Sequence, residues 1–240
     1  MKKETNLNWE EFEPLFGTWS AKIKPFFDSG GFDPIYKRLK DLTKRGKKIA
    51  PLSTDTFRCF IETPYDDLKV IMMGLSPYHT FRGSKPVADG LLMSCSSTNR
   101  AQPSLNQFYK ALMTEFNYHS EDVLQPYDLS YLAHQGVLLF NASLTVEKDK
   151  AGSHLDLWEP FTRYIFEHVV DTSGVPIIFL GKEAAKFRRW VAPFTWSFEV
   201  SHPASAAYQH MDWDSEQVFT NVSKILKGNN NIEIKWIETK

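Results

Sequence analysis

The sequence predicts an α/β fold: a single domain on a central, mostly parallel four-stranded sheet with helices on both faces. Short apolar runs, each ending in glycine or a polar residue, recur at Val70–Gly74, Val137–Asn141, Val175–Gly181 and Trp196–Ser201. Segments of helical periodicity separate them, at Ser104–Phe116, Leu157–Val170 and Glu183–Val191. Strands that alternate with helices pair in parallel, because each crossover brings the chain back in the direction it left.

The elements follow in order. Within 8–46, apolar and charged residues alternate at helical spacing (Trp9, Phe12, Leu15, Phe16, then Tyr36, Leu39, Leu42), with a break at Gly30-Gly31. This predicts two or three amphipathic helices, so that residues 1–56 form a helical part and 57–240 the sheet core with its loops. The KRGKK run at 44–48 reads as a solvated turn. The run VIMMG is apolar throughout, as a strand covered on both faces must be, and its glycine feeds a loop. GVLLF runs into Asn141, PIIFL into Gly181, and SFEVS into His202. Ligands bind beyond the carboxyl ends of such strands. Ser76, Asn141 and His202 are therefore expected to converge on one cleft.

Composition narrows the function. At 240 residues, 42% hydrophobic and 24% charged, the chain can fold around one large core. A net charge of −1 offers no global attraction to a polyelectrolyte. A nucleic-acid partner then requires a local basic face and binding that weakens steeply with salt. The two cysteines, Cys59 and Cys95, cannot supply a four-cysteine cluster, and no metal or cofactor is implied. MKKETNLNW lacks the apolar stretch of a signal peptide and no run is long enough to span a bilayer, so the expectation is a cytoplasmic monomer away from membranes.

Several stretches resemble the uracil-DNA glycosylase superfamily, most closely its family 1 branch. GLSPYH (74–79) resembles the water-activating G-Q-D-P-Y-H, and GVLLFNASLTV (136–146) resembles G-V-L-L-L-N-x-x-L-T-V. AGSHLDLWEPFT (151–162) is similar to A-x-S-H-x-x-x-G-W-E-x-F-T, and SHPASAAY (201–208) to H-P-S-P-L-S-A. QPSL (102–105) resembles the backbone clamp P-P-S-L. Trp9, the approach PLSTDTFRCFIETPYDDLKV and the final NIEIKW also fit, so the likeness spans nearly the whole chain.

The resemblance implies a monofunctional DNA glycosylase, which flips a base out of the stack and hydrolyses its glycosidic bond without a cofactor. It implies that Asn141 reads the base edge and that His202 stabilises charge on the leaving base. By the same resemblance Tyr78 crowds the C5 position and His79 helps hold the attacking water. Pro103, Ser104, Ser153 and Ser205 fall in segments that grip DNA phosphates. His154 reads as a structural histidine.

The departures from the pattern matter equally. Ser76 stands in the place of the aspartate that positions water and stabilises the cationic sugar, with Leu75 in place of the neighbouring glutamine. Met93 replaces a phenylalanine that stacks on the flipped base, and methionine is softer and more adaptable. Ala206 replaces the leucine wedge that fills the gap left by the base, which leaves Tyr208, Gln209 or His210 for that task. The loop from His79 to Gly90 is longer than the family's. Asp89, within it, is the candidate replacement acid. These changes predict a substrate that is a modified or bulky pyrimidine, including hypermodified or glucosylated cytosine of phage DNA in antiviral defence, rather than plain uracil. The alternatives are a catalytically silent DNA-binding or processivity module and slow uracil excision.

Overall fold

The computed structural model describes residues 7–172 and 174–240; the opening MKKETN, part of the segment read as lacking a leader, lies outside them. The chain enters through a short helix, Trp9–Phe12, where Asn8 Oδ1 accepts the Glu10 N–H at 3.1 Å and so caps the first turn. A 3-10 stretch, Glu13–Trp19, leads into α1 (Ser20–Asp28), and the break at Gly30-Gly31 separates it from α2 (Asp33–Lys44). The predicted helical entry is present. The KRGKK run leaves α2 exposed to solvent, and Lys47 and Arg45 pair with Glu147 and Asp41.

Aromatic burial docks this entry on the sheet. The Phe16 ring lies 4.6 Å from Phe57 and 5.8 Å from Phe32, while Phe161 lies 5.1 Å from Phe32 and 5.9 Å from Phe60. Phe60, on α3 (Arg58–Glu62), reaches the sheet itself through Phe140 at 5.9 Å. Trp19 joins the cluster without leaving its indole unpaired, because its Nε1–H donates to the Thr63 carbonyl at 2.7 Å.

The sheet comprises β1 (Val70–Gly74), β2 (Val137–Asn141), β3 (Ile177–Leu180) and β4 (Ser197–Val200) in the order β2-β1-β3-β4. All pairs are parallel, with Gly74 opposite Asn141, Ile71 opposite Ile177 and Leu180 opposite Val200. Every residue of β1, β2 and β3 is buried. Since alternate residues point to opposite faces, both faces are covered. The covering helices include α4 (Pro103–Phe116), α5 (Leu155–Tyr164), α6 (Pro203–Tyr208) and α7 (Val218–Asn230). A second aromatic group, Phe108, Trp213, Phe219 and Trp236, packs around α4 and α7.

Two helices differ from expectation in detail. The segment 157–170 starts earlier, at Leu155, and passes at Ile165–Val169 into a wider π turn. The segment 183–191 is α-helical only over Lys182–Ala185 and tightens to a 3-10 turn at Lys186–Trp190. Hydrophobic spacing does not distinguish these turns, since all keep roughly the same face inward. Among the described residues no helix is long and apolar enough to cross a membrane.

Phe161 is fully buried and touches rings from the N-terminal entry, α3 and α5's own Trp158. Phe161→Ala is expected to cost about 3–5 kcal/mol of folding stability, read from urea unfolding. A loss below about 1 kcal/mol contradicts the role of this cluster as the joint between entry helices and sheet.

Candidate active site

All four strands end on one edge, which brings their polar successors together. At the end of β1, the Gly74 carbonyl accepts the Ala142 N–H at 2.9 Å and the Leu75 carbonyl accepts the Ser143 N–H at 3.0 Å. A Cβ on Gly74 would sit 3.0 Å from Asn141 Oδ1 and 2.4 Å from Leu92. Only glycine lets the Asn141 amide lie this close to the strand. The loop after β1 is stitched to the loop after β2: Ser76 Oγ accepts the Gly152 N–H at 3.1 Å, and the His79 carbonyl accepts the Asp149 N–H at 3.0 Å. On the other side, Gly181 N–H donates to the Val200 carbonyl at 2.7 Å, and a Cβ on Gly181 would press on His202 Cβ at 3.2 Å.

His202 caps α6, its Nδ1 accepting the Ala204 N–H at 3.1 Å. Burial pushes its pKa from 6.5 down to about 4. The ring is therefore neutral at pH 7. With Nδ1 engaged as an acceptor, its proton resides on Nε2, which becomes a hydrogen-bond donor. Asn141 is buried, and its Oδ1 has no hydrogen-bond partner among the described residues. His79 Nδ1 is also buried and unpartnered. Buried polar atoms are nearly always paired, so Asn141 Oδ1 and His79 Nδ1 are open to a polar guest in the recess at the strand ends, and His154 Nε2 is a third such atom among the described residues.

Tyr78 and Met93 share a wall of this recess. The Tyr78 hydroxyl lies 2.6 Å from Ser104 Oγ and 3.2 Å from the Met93 carbonyl, and burial raises its pKa. Met93 is itself buried, in the left-handed region at φ +60°. Leu75 is half-buried and lies beside Gly152.

Two expected roles are corrected by the geometry. Ser104 does not face DNA: it is 2% exposed and its hydroxyl is spent on Tyr78, at the start of α4. Asp89 is not a free acid. Its Oδ2 accepts from Ser94 Oγ at 2.6 Å, Ser96 Oγ at 2.6 Å and Ser96 N–H at 2.8 Å, and Arg58 lies 3.3 Å away. With Oδ1 accepting the Leu91 N–H at 3.3 Å as well, this carboxylate anchors the loop that carries Met93. Arg58 is the residue that sequence reasoning missed; it also holds Asp128 at 2.9 Å and Glu62 at 3.0 Å. Only Glu62 is a local i,i+4 partner; no local pattern links Arg58 to Asp89 and Asp128. His154 is buried, with Nδ1 2.9 Å from Thr145 Oγ1, and Trp158 Nε1–H donates to the same hydroxyl at 2.7 Å.

The remaining DNA-facing expectations lie at the rim. Pro103, Ser153, Ser205 and Tyr208 are exposed. Ser153 Oγ accepts the Glu147 N–H at 2.8 Å, which leaves its own O–H to donate. Ala206, at the wedge position, is a half-buried methyl packed on the core, and nothing of it projects. The large apolar groups that do project are Tyr208, 81% exposed, and Met211, 60% exposed. Met211 was not anticipated, because exposure of a single methionine leaves no sequence signal. Among the described residues no three His, Cys, Asp or Glu side chains gather to hold a metal, and Cys59 and Cys95 are free thiols.

The ends of this parallel sheet offer an amide oxygen without a partner among the described residues and a neutral imidazole donor, the kind of groups with which base-flipping enzymes read a base edge. The chain belongs to the uracil DNA glycosylase superfamily, whose family model matches residues 60–227. It is 32% identical over 228 residues to a uracil-DNA glycosylase of Streptococcus uberis, covering 92% of this chain and 98% of that protein. To uracil-DNA glycosylase 1 of Listeria monocytogenes serotype 4b it is 31% identical over 226 residues, covering 91% of this chain and 96% of that one. The fold is also that of the mimivirus uracil-DNA glycosylase crystal structure, at a TM-score of 0.80 and 22% identity, covering 97% of this chain and 90% of that chain.

The depressed His202 pKa has a sign that can be measured. The unfolded chain takes up the proton near pH 6.5 and the folded one near 4, so stability from this group is complete above pH 6.5 and falls as pH drops toward 4. An imidazole nitrogen NMR titration is expected to show His202 neutral and protonated on Nε2 until pH nears 4. A midpoint at 6.5 contradicts the donor assignment.

Proposed function

We propose that the chain, a DNA glycosylase by family, excises a modified or bulky pyrimidine rather than plain uracil, with hypermodified cytosine such as the glucosylated hydroxymethylcytosine of phage DNA as its substrate class and antiviral defence as its setting. The observation that carries this reading is a division at the site. The acid position holds Ser76, a neutral hydroxyl bonded to Gly152, while Asn141 and His202 stay free to engage a base.

The chemistry follows from that division. Breaking the glycosidic bond leaves positive charge on the sugar and negative charge on the base. Ser76 supplies no anion for the sugar, so stabilisation shifts to the leaving group, where His202 Nε2–H donates to the pyrimidine O2 as charge grows there. Asn141 has no partner for its Oδ1 among the described residues, so that end of the amide is not held by the protein. It can accept from a ring N3–H and donate to O4, as uracil requires, or accept from N4–H and donate to N3, as a cytosine requires. A bulky substituent adds binding energy remote from the reacting bond, and that energy can replace part of what the missing carboxylate no longer contributes. Met93 supports this, being adaptable where a stacked phenylalanine is rigid. Tyr78 opposes it: two hydrogen bonds hold its ring in place, and a large C5 group must pass beside it.

A silent DNA-binding module is the second reading, favoured by Ser76 and by the methyl at Ala206. Against it stand the orphaned Asn141 and His79 atoms, each costing about 1–3 kcal/mol when left unpaired, with no return in a protein that only grips.

Base release from duplexes carrying uracil, cytosine, hydroxymethylcytosine or glucosylated hydroxymethylcytosine decides among these. The expected result is release of a modified base that Asn141→Ala abolishes, with uracil released slowly. Ser76→Asp is expected to raise uracil release by about a hundredfold or more. Release of uracil faster than any modified base makes this an ordinary uracil enzyme. No release from any duplex, with binding intact, makes it a module.

A further inference from the structure

The loop between His79 and Gly90 folds into a two-stranded hairpin, Phe81–Arg82 against Lys85–Pro86, turning through Gly83 and Ser84. Its base is fixed. Phe81 packs with Ala50, Ala88, Val146 and Tyr78, Val87 N–H donates to the Thr80 carbonyl at 3.0 Å, and Ser97 Oγ reaches the Pro86 carbonyl at 2.7 Å. Its tip, residues 82–85, is exposed.

The register sets Arg82 directly opposite Lys85. Like charges facing each other across a strand pair destabilise it. Among the described residues no carboxylate lies within ion-pair distance of either, whereas most cations elsewhere on the rim are paired: Lys150 and Lys47 with Glu147, Lys148 with Asp149. Arg100 is a third cation without an acidic partner among the described residues, and its carbonyl accepts from Cys95 Sγ. An anchored hairpin that tolerates this repulsion beside a base pocket is arranged for a polyanion. Meanwhile Ser104, at the position of a backbone clamp, is buried on Tyr78 and unavailable to phosphate.

We propose that this hairpin is a phosphate clip, with Arg82 and Lys85 gripping the DNA backbone next to the flipped nucleotide and supplying the hold that the buried Ser104 does not. It provides the local basic face that a chain of net charge −1 needs in order to hold a polyanion. The inference rests on the reading of the chain as a DNA glycosylase, and is independent of which base it excises.

The test is binding to a duplex with a central tetrahydrofuran abasic site, titrated across salt concentrations, which requires no base release. Arg82→Ala with Lys85→Ala is expected to weaken binding about fivefold or more and to flatten the slope of log affinity against log salt by about 2, near one unit for each phosphate no longer neutralised. The charge-keeping pair Arg82→Lys with Lys85→Arg should retain most of the slope. A control pair on α2, Lys37→Ala with Lys40→Ala, removes the same charge from another exposed surface and should leave the slope unchanged. Thermal melting of each variant checks that it is folded. An unchanged slope in the hairpin variant, or an equal change in the α2 control, overturns the proposal while leaving the glycosylase reading intact. Failure of the wild-type chain to bind the duplex at all overturns both.

Discussion

The contact between the ends of β1 and β2 is the constraint on which the site depends. Gly74 and Asn141 face each other in register, and no side chain larger than hydrogen fits at Gly74 without displacing the Asn141 amide or Leu92. The amide is thereby carried on a fully buried strand and not on a loop, so its position is set by the same packing that holds the core. Gly181 performs a related service for His202, admitting the histidine close to the end of β3. Precision at the recess is therefore a property of backbone approach at two glycines, with the polar groups placed upon it.

Other polar groups near the site are engaged in structural contacts. Asp89 is held by Ser94, Ser96 and Arg58, and His154 Nδ1 shares Thr145 with Trp158, while His154 Nε2 is buried without a partner among the described residues. These networks hold the pocket loop and the loop after β2 in place. Asn141 Oδ1 and His79 Nδ1 are left unpaired within that frame. The change from acid to Ser76 alters the chemistry of the recess without disturbing this frame, because the hydroxyl still ties the two loops together through Gly152.

Much of this was legible in the sequence. The four apolar runs are the four strands, and because all run one way Ser76, Asn141 and His202 lie at or just past strand ends on one edge of the sheet. The motif order placed Tyr78, His79 and Met93 around the same recess. Less legible were the roles that depend on what a side chain meets. Ser104 reads as a phosphate ligand in QPSL, yet in the fold it supports Tyr78. Asp89 reads as a free acid in a long loop, yet it is the anchor of that loop. Ala206 marks a missing wedge, with Tyr208 among the sequence's alternatives, but the exposed Met211 emerges only from the fold.

By itself the sequence determined the α/β class, the strands, the direction in which their ends point and the residue types offered there. These are short-range properties, since hydrophobic period and strand-ending residues act within a few positions of one another. Tertiary structure alone decided which polar atoms are spent and which stay open: that Arg58 finds Asp89 and Asp128, that Ser104 is buried against Tyr78, and that the His79–Gly90 loop closes into a hairpin with its cations exposed. The first two outcomes depend on partners tens of residues apart, and a hydrogen bond or ion pair carries no signature in either partner's neighbourhood until the chain has folded.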